Sequence, residues 1–168
     1  MSLGFRIAAA IGAIALLAST SGQAQTASCA SPEYRQFDFW IGNWIVHGQN
    51  GKVAGTNSVQ REYGGCVIHE RYETGRGYSG ESLNTYDASR KVWHQTWVDT
   101  SGTLLLLDGG IQDGKMVLEG PGVDSSGHPI KHRITWTSNA DGTVRQLWES
   151  TDDKGNWTVA FDGKYTRQ

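Results

Sequence analysis

Eight short turn-forming sequences divide the chain from residue 48 onward, and no other feature constrains the fold as strongly. They are GQNGK (48–52), GG (64–65), DASRK (87–91), DTSG (99–102), QDGK (112–115), DSSG (124–127), NADG (139–142) and DDKGN (152–156). Gly, Asn, Asp and Ser adopt the backbone dihedrals of tight turns, and Asp-Gly pairs are typical of β-hairpins. Helical periodicity is confined to residues 34–40. The turns therefore predict an all-β meander of about ten strands, near residues 43–48, 55–63, 66–74, 80–87, 91–98, 103–109, 115–120, 130–137, 143–150 and 157–166.

Side chains alternate in character along several predicted strands, as expected when one face of a sheet is buried. Each of these sets shares one face of its strand: Cys66, Ile68, Glu70 and Tyr72; Trp93, Gln95 and Trp97; His132, Ile134 and Trp136; and Trp157, Val159, Phe161 and Tyr165. A sheet of this many strands exposes unpaired edges unless it closes on itself. We therefore predict that residues 34–168 form one antiparallel barrel with a short N-terminal element capping one end. A two-sheet sandwich is the alternative.

The first 24 residues are typical of a secretory signal peptide. Arg6 precedes an apolar run over residues 7–18, and the small residues Gly22 and Ala24 precede a cleavage point. The run is shorter than the ~20 apolar residues that span a bilayer, which disfavours a transmembrane anchor. We therefore expect the mature protein to be periplasmic or secreted.

Cleavage after Ala24 leaves residues 25–33 as a flexible arm of small and polar side chains before the domain. A lipoprotein attached through Cys29 is the alternative. In an oxidising compartment Cys29 can form a disulfide with Cys66, the second cysteine of the chain. Two unpaired thiols, with Cys66 buried, are equally compatible with the sequence, because spacing does not reveal geometry.

Charge gives no reason to expect a polyanionic partner. The chain carries 15 Lys and Arg against 17 Asp and Glu, a net charge of −2 at pH 7. Nucleic acids and anionic membranes attract basic surfaces, so we expect neither as a partner. No apolar segment after the leader approaches membrane length, so we also expect no membrane span. The sequence leaves the oligomeric state open.

The stretch FDFWIGNW, residues 37–44, places a Gly-Asn-Trp at the start of the first predicted strand. This resembles the Gly-X-Trp signature of lipocalins and related calycin barrels. The resemblance implies that Trp44 plugs one end of the barrel and packs on an arginine near the last strand, which by position is Arg167. We expect the aromatic residues before Trp44 to lie across the same end.

A longer resemblance covers most of the chain after the leader. The chain is similar to an uncharacterised family of bacterial secreted proteins, catalogued as a domain of unknown function, and the resemblance implies no activity. The matching stretches are FDFWIGNW (37–44), GGCVIHERYETG (64–75), SLNTYD (82–87), WHQTWVDTSGTLLLLDGG (93–110), HRITWT (132–137), VRQLWES (144–150) and WTVAFDGKY (157–165).

The seven tryptophans of the chain are open to three interpretations: core packing, the wall of an apolar ligand cavity, or a sugar-stacking face. Glu70, Gln95 and His132 each lie on the more apolar face of a strand. We interpret them as polar groups that orient a ligand inside the barrel, although single residues of this kind often face water. The predicted apolar walls of this ligand site are Trp97, Trp136 and Trp148.

These features favour an exported protein that binds or carries a small, mostly apolar molecule inside a Trp-lined barrel. The first alternative is an enzyme that uses Glu70 or His132 as a general base in an isomerisation or hydration. The second is a solid barrel with a structural role in the cell envelope. The sequence has no metal-binding motif, because its five histidines lack chelating spacing, and no nucleophile elbow. We therefore expect no metal and no cofactor.

Overall fold

The structure is a computed structural model that describes Met1, residues 29–152 and residues 154–168. The predicted signal peptide beyond Met1 and the first part of the arm, residues 25–28, lie outside the described residues. Three short 3₁₀ helices occur, Pro32–Arg35, Asp38–Trp40 and Tyr63–Gly65. The strands are β1 (Gly42–His47), β2 (Val53–Glu62), β3 (Val67–Glu73), β4 (Ser79–Asp87), β5 (Val92–Asp99), β6 (Leu104–Gln112), β7 (Lys115–Val123), β8 (Pro129–Ser138), β9 (Val144–Thr151) and β10 (Trp157–Arg167).

Each strand pairs antiparallel with the next, and β10 returns to pair with β1. The closing register sets Trp44 opposite Arg167 and Val46 opposite Tyr165. The predicted all-β meander and its closure into a ten-stranded barrel are therefore confirmed, and the sandwich alternative is wrong. None of the helices in the described residues is long and apolar enough to cross a lipid bilayer.

Strands β6 and β7 run three residues further than the sequence indicated, through glycines that ordinarily interrupt strands. A Cβ at Gly109 would overlap the Val117 carbonyl oxygen, and one at Gly120 would overlap the Leu106 carbonyl oxygen. These glycines allow neighbouring backbones to approach closely, so they belong to the strands and do not end them.

Strand β10 contains a bulge that changes which face its side chains occupy. Its register on β9 shifts between Val159 and Phe161. Val159 is exposed, and Trp157 lies outside the barrel, where the Arg133 guanidinium sits 4.1 Å from the centre of its ring. Phe161 and Tyr165 point inward. The prediction that all four apolar residues of this strand share one face is therefore wrong, because the extra residue reverses the alternation.

The N-terminal 3₁₀ segment covers one end of the barrel, the closed end. Phe37 stacks on Trp40 with ring centroids 4.8 Å apart and meets Trp136 edge-on at 5.1 Å and Trp93 edge-on at 5.7 Å. All four rings are buried. Burial of each such side chain stabilises a fold by about 1.5–3 kcal/mol, so this aromatic core is a major source of stability. The opposite end of the barrel, which carries the 48–52 and 74–78 turns, is called the open end.

A disulfide joins Cys29 to Cys66 at the closed end, with 5.1 Å between their Cα atoms. Of the two states that the sequence left open, the structure has the bonded one. Arg35 reinforces the attachment by donating a hydrogen bond of 2.5 Å to the Gly65 carbonyl and one of 3.3 Å to the Cys29 carbonyl. The described part of the predicted arm, residues 29–33, is thus anchored to the barrel.

Trp44 and Arg167 form the contact that the lipocalin resemblance implied. The Arg167 guanidinium lies 4.4 Å from the centre of the Trp44 ring, and its Nη1 donates to the Ile41 carbonyl. The Trp44 Nε1 donates a 2.9 Å hydrogen bond to the Trp40 carbonyl. Gly42 has a φ of +154°, and a Cβ there would overlap Arg167 Nη1 and lie 3.3 Å from the Trp44 ring. The glycine of the motif is therefore required by the stacked arginine.

We expect Gly42→Ala to lower the free energy of unfolding by about 2 kcal/mol or more, because the added methyl group displaces the Arg167 side chain at a strained backbone position. Gly110→Ala on β6 is the matched control, since a Cβ at Gly110 meets no atom within 4 Å. The control should stay within about 0.5 kcal/mol of the parent. Urea denaturation of the three proteins measures both values, and equal stability of the two variants would contradict the role assigned to Gly42.

Candidate functional site

The interior of the barrel is solid at the closed end and hollow towards the open end. The hollow part is a cavity of about 200 Å³. For comparison, an apolar cavity of about 150 Å³ in another protein is large enough to bind benzene. The residues that line the cavity come from β3, the β3–β4 turn, β5, β6 and β8 to β10: Glu70, Tyr72, Tyr78, Gln95, Trp97, Leu105, Ile134, Gln146, Trp148, Ala160, Phe161 and Tyr165.

Asp99 holds two aromatic side chains of the cavity wall in place. Its Oδ2 accepts hydrogen bonds from the Tyr78 hydroxyl at 2.9 Å and from Trp97 Nε1 at 3.1 Å. Its Oδ1 accepts from the backbone amides of Ser101 and Thr103 in the β5–β6 turn. Burial acts to raise the pKa of Asp99, but the hydrogen bonds outweigh it and hold the pKa below its usual value. The carboxylate therefore stays ionised and keeps the polar ends of both rings turned away from the cavity.

A chain of buried hydrogen bonds ends on Glu70, and strand register explains its formation. Glu70 lies opposite Ser82, and Asn84 lies opposite Gln95, all pointing inward. Asn57 Nδ2 donates to Glu70 Oε1 at 2.7 Å, and the Ser82 hydroxyl donates to Oε2 at 2.6 Å. Asn84 Nδ2 donates to Ser82 Oγ, and Gln95 Nε2 donates to Asn84 Oδ1, each at 2.9 Å. These four hydrogen bonds therefore all run in the direction of the Glu70 carboxylate.

Glu70 is an almost fully buried carboxyl group that receives hydrogen bonds from neutral side chains. Burial raises its pKa to about 7, against the opposing effect of the hydrogen bonds from Ser82 and Asn57. His69 is adjacent in sequence but points to the outside of the barrel, where it contacts Glu62 and Glu81. Glu70 therefore changes between its neutral and charged forms near neutral pH.

Two amide oxygens of the same network accept no hydrogen bond from any described residue. They are Asn57 Oδ1 and Gln95 Oε1, on side chains that are 2% and 1% exposed. An unsatisfied buried acceptor costs about 1–3 kcal/mol. Gln95 lines the cavity, so a molecule inside it can supply the missing donor. Nearby, the Tyr165 hydroxyl donates to Gln146 Oε1, and burial raises the pKa of Tyr165 well above its usual value.

The structure brings four of the six predicted ligand-binding residues into the cavity wall: Glu70, Gln95, Trp97 and Trp148. Trp136 instead belongs to the aromatic core of the closed end. His132 lies outside the cavity lining, where its Nδ1 accepts a hydrogen bond from Trp148 Nε1 at 3.2 Å, and burial lowers its pKa. Its ring occupies space that a side chain at Gly122 would fill.

Sequence reasoning missed the small polar partners of Glu70 and several aromatic residues of the wall. Asn57, Ser82 and Asn84 share strand faces with inward-pointing neighbours, so their alternation was a usable signal. Because these residues are small and polar, like many residues on the solvent-exposed face of a strand, the alternation alone does not identify them as buried. The bulge in β10 is what brings Phe161 inward, and no feature of the sequence marks it.

No group of three or more His, Cys, Asp and Glu side chains in the described part of the chain is arranged to hold a metal ion. Comparison of the sequence with protein-family models found no match, and comparison with curated proteins found no match either. The cavity and its polar network are therefore the basis on which a function can be inferred.

We expect Glu70 to make the protein less stable as pH rises. Its pKa is 4.5 in an ordinary environment and about 7 in the folded protein. The destabilisation that comes from ionising the buried group is therefore absent below the first pH value and complete above the second. At about 1.4 kcal/mol per pKa unit, the total loss is about 3 kcal/mol. The difference in unfolding free energy between the parent and Glu70→Gln, measured in urea from pH 4 to 8, should fall by this amount.

The exposed Glu73→Gln variant on the same strand is the control, and its difference from the parent should not follow this profile. A flat difference for Glu70→Gln across the same pH range would show that Glu70 titrates as an ordinary carboxyl group.

Proposed function

We propose that this barrel binds a small, mostly apolar molecule in the cavity towards its open end. The observation that carries the proposal is the combination of an unfilled, aromatic-walled space with one buried polar network on its wall. Binding sites for small molecules have this character, with a few polar groups orienting a guest among apolar side chains. A guest that buries about 200 Å² of apolar surface gains roughly 5 kcal/mol at about 25 cal/mol per Å².

The route into the cavity lies between the β1–β2 turn, the β3–β4 turn and the bulged part of β10. A surface depression at the open end extends from Gly48 to Gly55 and from Thr74 to Tyr78. It shares Tyr78, Ala160 and Phe161 with the cavity wall. A guest passing through this depression therefore meets these three residues first.

An enzyme that uses the same cavity is the second candidate, favoured by the position and pKa of Glu70. A carboxyl group with a pKa of about 7 in contact with a bound molecule is suited to move a proton, as isomerisation and hydration require. His132, the other predicted base, has no place in the cavity lining. Loss of turnover with retention of binding in Glu70→Gln would identify an enzyme, whereas a carrier has no turnover to lose.

A solid barrel with a structural role is the least supported alternative. Only the closed end of the interior is filled by its own side chains, and the open end retains about 200 Å³. Natural cores contain few voids larger than a water molecule, so a cavity of this size favours a binding role.

We also propose that the protein is exported and is related to the secreted bacterial family that its sequence resembles. The leader-like residues 1–24 and the Cys29–Cys66 disulfide support export, because disulfides persist in oxidising compartments. Expression of the full chain in a bacterial host should yield periplasmic protein whose mass lacks residues 1–24. An intact chain retained in the cytoplasm would contradict export.

Filling the cavity should abolish binding of a benzene-sized guest. Leu105→Trp places a bulky indole ring in the cavity, and we expect it to weaken toluene binding at least tenfold. Leu104→Trp is the matched control, because its side chain lies on the outside of the same strand and is 58% exposed. Isothermal titration calorimetry gives the affinities, and circular dichroism verifies folding. Equal toluene affinity of the two variants, or absence of toluene binding by the parent, would contradict the proposed site.

A further inference from the structure

We infer that the guest of this cavity carries a positively charged ammonium group with at least one N–H, attached to a small apolar body. This assignment of ligand class rests on the proposed function and deepens it. It is carried by the chemistry of the wall, which combines the Glu70 carboxylate, the Gln95 Oε1 acceptor that has no donor among the described residues, and aromatic rings.

The first reason is that the charge of Glu70 has no counter-ion in the cavity. None of the described residues that line the cavity is Lys, Arg or His. The hydrogen bonds to Glu70 come from Asn57 and Ser82, which are both neutral. A buried carboxylate is stable only when it is paired, and a cation on the guest supplies the pair. An anionic guest, by contrast, would place two like charges in a small buried space.

The second reason is the aromatic wall. Six lining residues are aromatic: Tyr72, Tyr78, Trp97, Trp148, Phe161 and Tyr165. Tyr72 and Tyr78 meet at 67° with centroids 6.2 Å apart, so they form a corner. The faces of aromatic rings are negative and attract cations, most strongly when water is excluded. The wall therefore suits both the charge and the apolar body of such a guest.

The third reason is the direction of the hydrogen bonds. Trp97 and Tyr78 donate to Asp99, and Trp148 donates to His132, so these three donors are turned away from the guest. Gln95 Oε1 is left as an acceptor without a donor among the described residues. An ammonium N–H satisfies it, whereas a quaternary ammonium has no proton to give. The Tyr72 hydroxyl and Gln146 Nε2 remain for a polar atom elsewhere on the guest.

A cationic guest couples binding to the ionisation of Glu70. Affinity should rise with pH through about 7, because the cation binds the ionised carboxyl group. The tyrosines of the wall and Asp99 do not produce the same pH dependence. Burial raises the pKa values of Tyr72, Tyr78 and Tyr165, so all stay neutral, and Asp99 stays ionised. His132 has a lowered pKa and contacts the wall through Trp148.

The test compares benzylammonium with benzyl alcohol, which has nearly the same shape, one O–H donor in place of three N–H donors, and no charge. Calorimetry at pH 8 on the parent should show benzylammonium binding at least tenfold more tightly. In Glu70→Gln this preference should fall to about onefold, because the carboxylate that pairs with the ammonium group is gone. Glu81→Gln, which removes an exposed carboxylate from the neighbouring strand β4, should keep the preference of the parent.

The outcomes separate the ligand class from the binding function. If benzyl alcohol binds the parent as tightly as benzylammonium, the cationic guest is excluded and the proposed cavity stands. If neither compound nor toluene binds, both are overturned. If Glu70→Gln fails to fold, the pH dependence of binding by the parent protein is the deciding measurement. Its benzylammonium affinity should rise at least fivefold from pH 5.5 to pH 8 with release of a proton, and a constant affinity overturns the inference.

Discussion

Pairing of β1 with β10 is the constraint on which the rest of the structure depends. Closure supplies partners for the backbone groups of both strands, and it turns one side of every strand into an enclosed interior. The Trp44–Arg167 contact lies at the closing seam, where the Arg167 guanidinium covers the Trp44 ring. Gly42 leaves the space for that guanidinium. The three-residue motif at the start of β1 is therefore understandable as the means by which the first and last strands meet.

The interior created by closure is used in two different ways. Towards the closed end, Phe37, Trp40, Trp93 and Trp136 fill the space with rings and contribute stability through burial. Towards the open end, the Glu70 network lowers stability at neutral pH, because a carboxyl group with a raised pKa resists ionisation. A protein that keeps such a group must be stabilised elsewhere, and the disulfide and the aromatic core both lie at the opposite end. Stability and chemistry are thus separated along the axis of the barrel.

Much of the fold was predictable because its signals are local. Turn residues located all ten strands, and alternation correctly assigned Glu70, Gln95 and Trp97 to the interior. What alternation does not provide is depth along the barrel, because every inward residue of a strand follows the same pattern. Trp136 and Trp97 both point inward, yet one lies in the solid core and the other in the cavity wall. The bulge near Phe161 and the Cys29–Cys66 bond depend on contacts between distant segments, which one sequence does not display.

Asp99 has a consequence for the proposed binding of a small molecule. One ionised carboxylate holds the Tyr78 and Trp97 side chains and, through Ser101 and Thr103, the turn beside them. This side of the cavity is consequently pre-shaped, and little conformational freedom is left to be lost there when a molecule arrives. A rigid wall also does not adjust to a molecule that is larger than the cavity. Under the proposed function, the barrel should therefore exclude molecules larger than the cavity. Variation in ligand shape should be accommodated on the opposite side of the cavity, beside the bulge of β10.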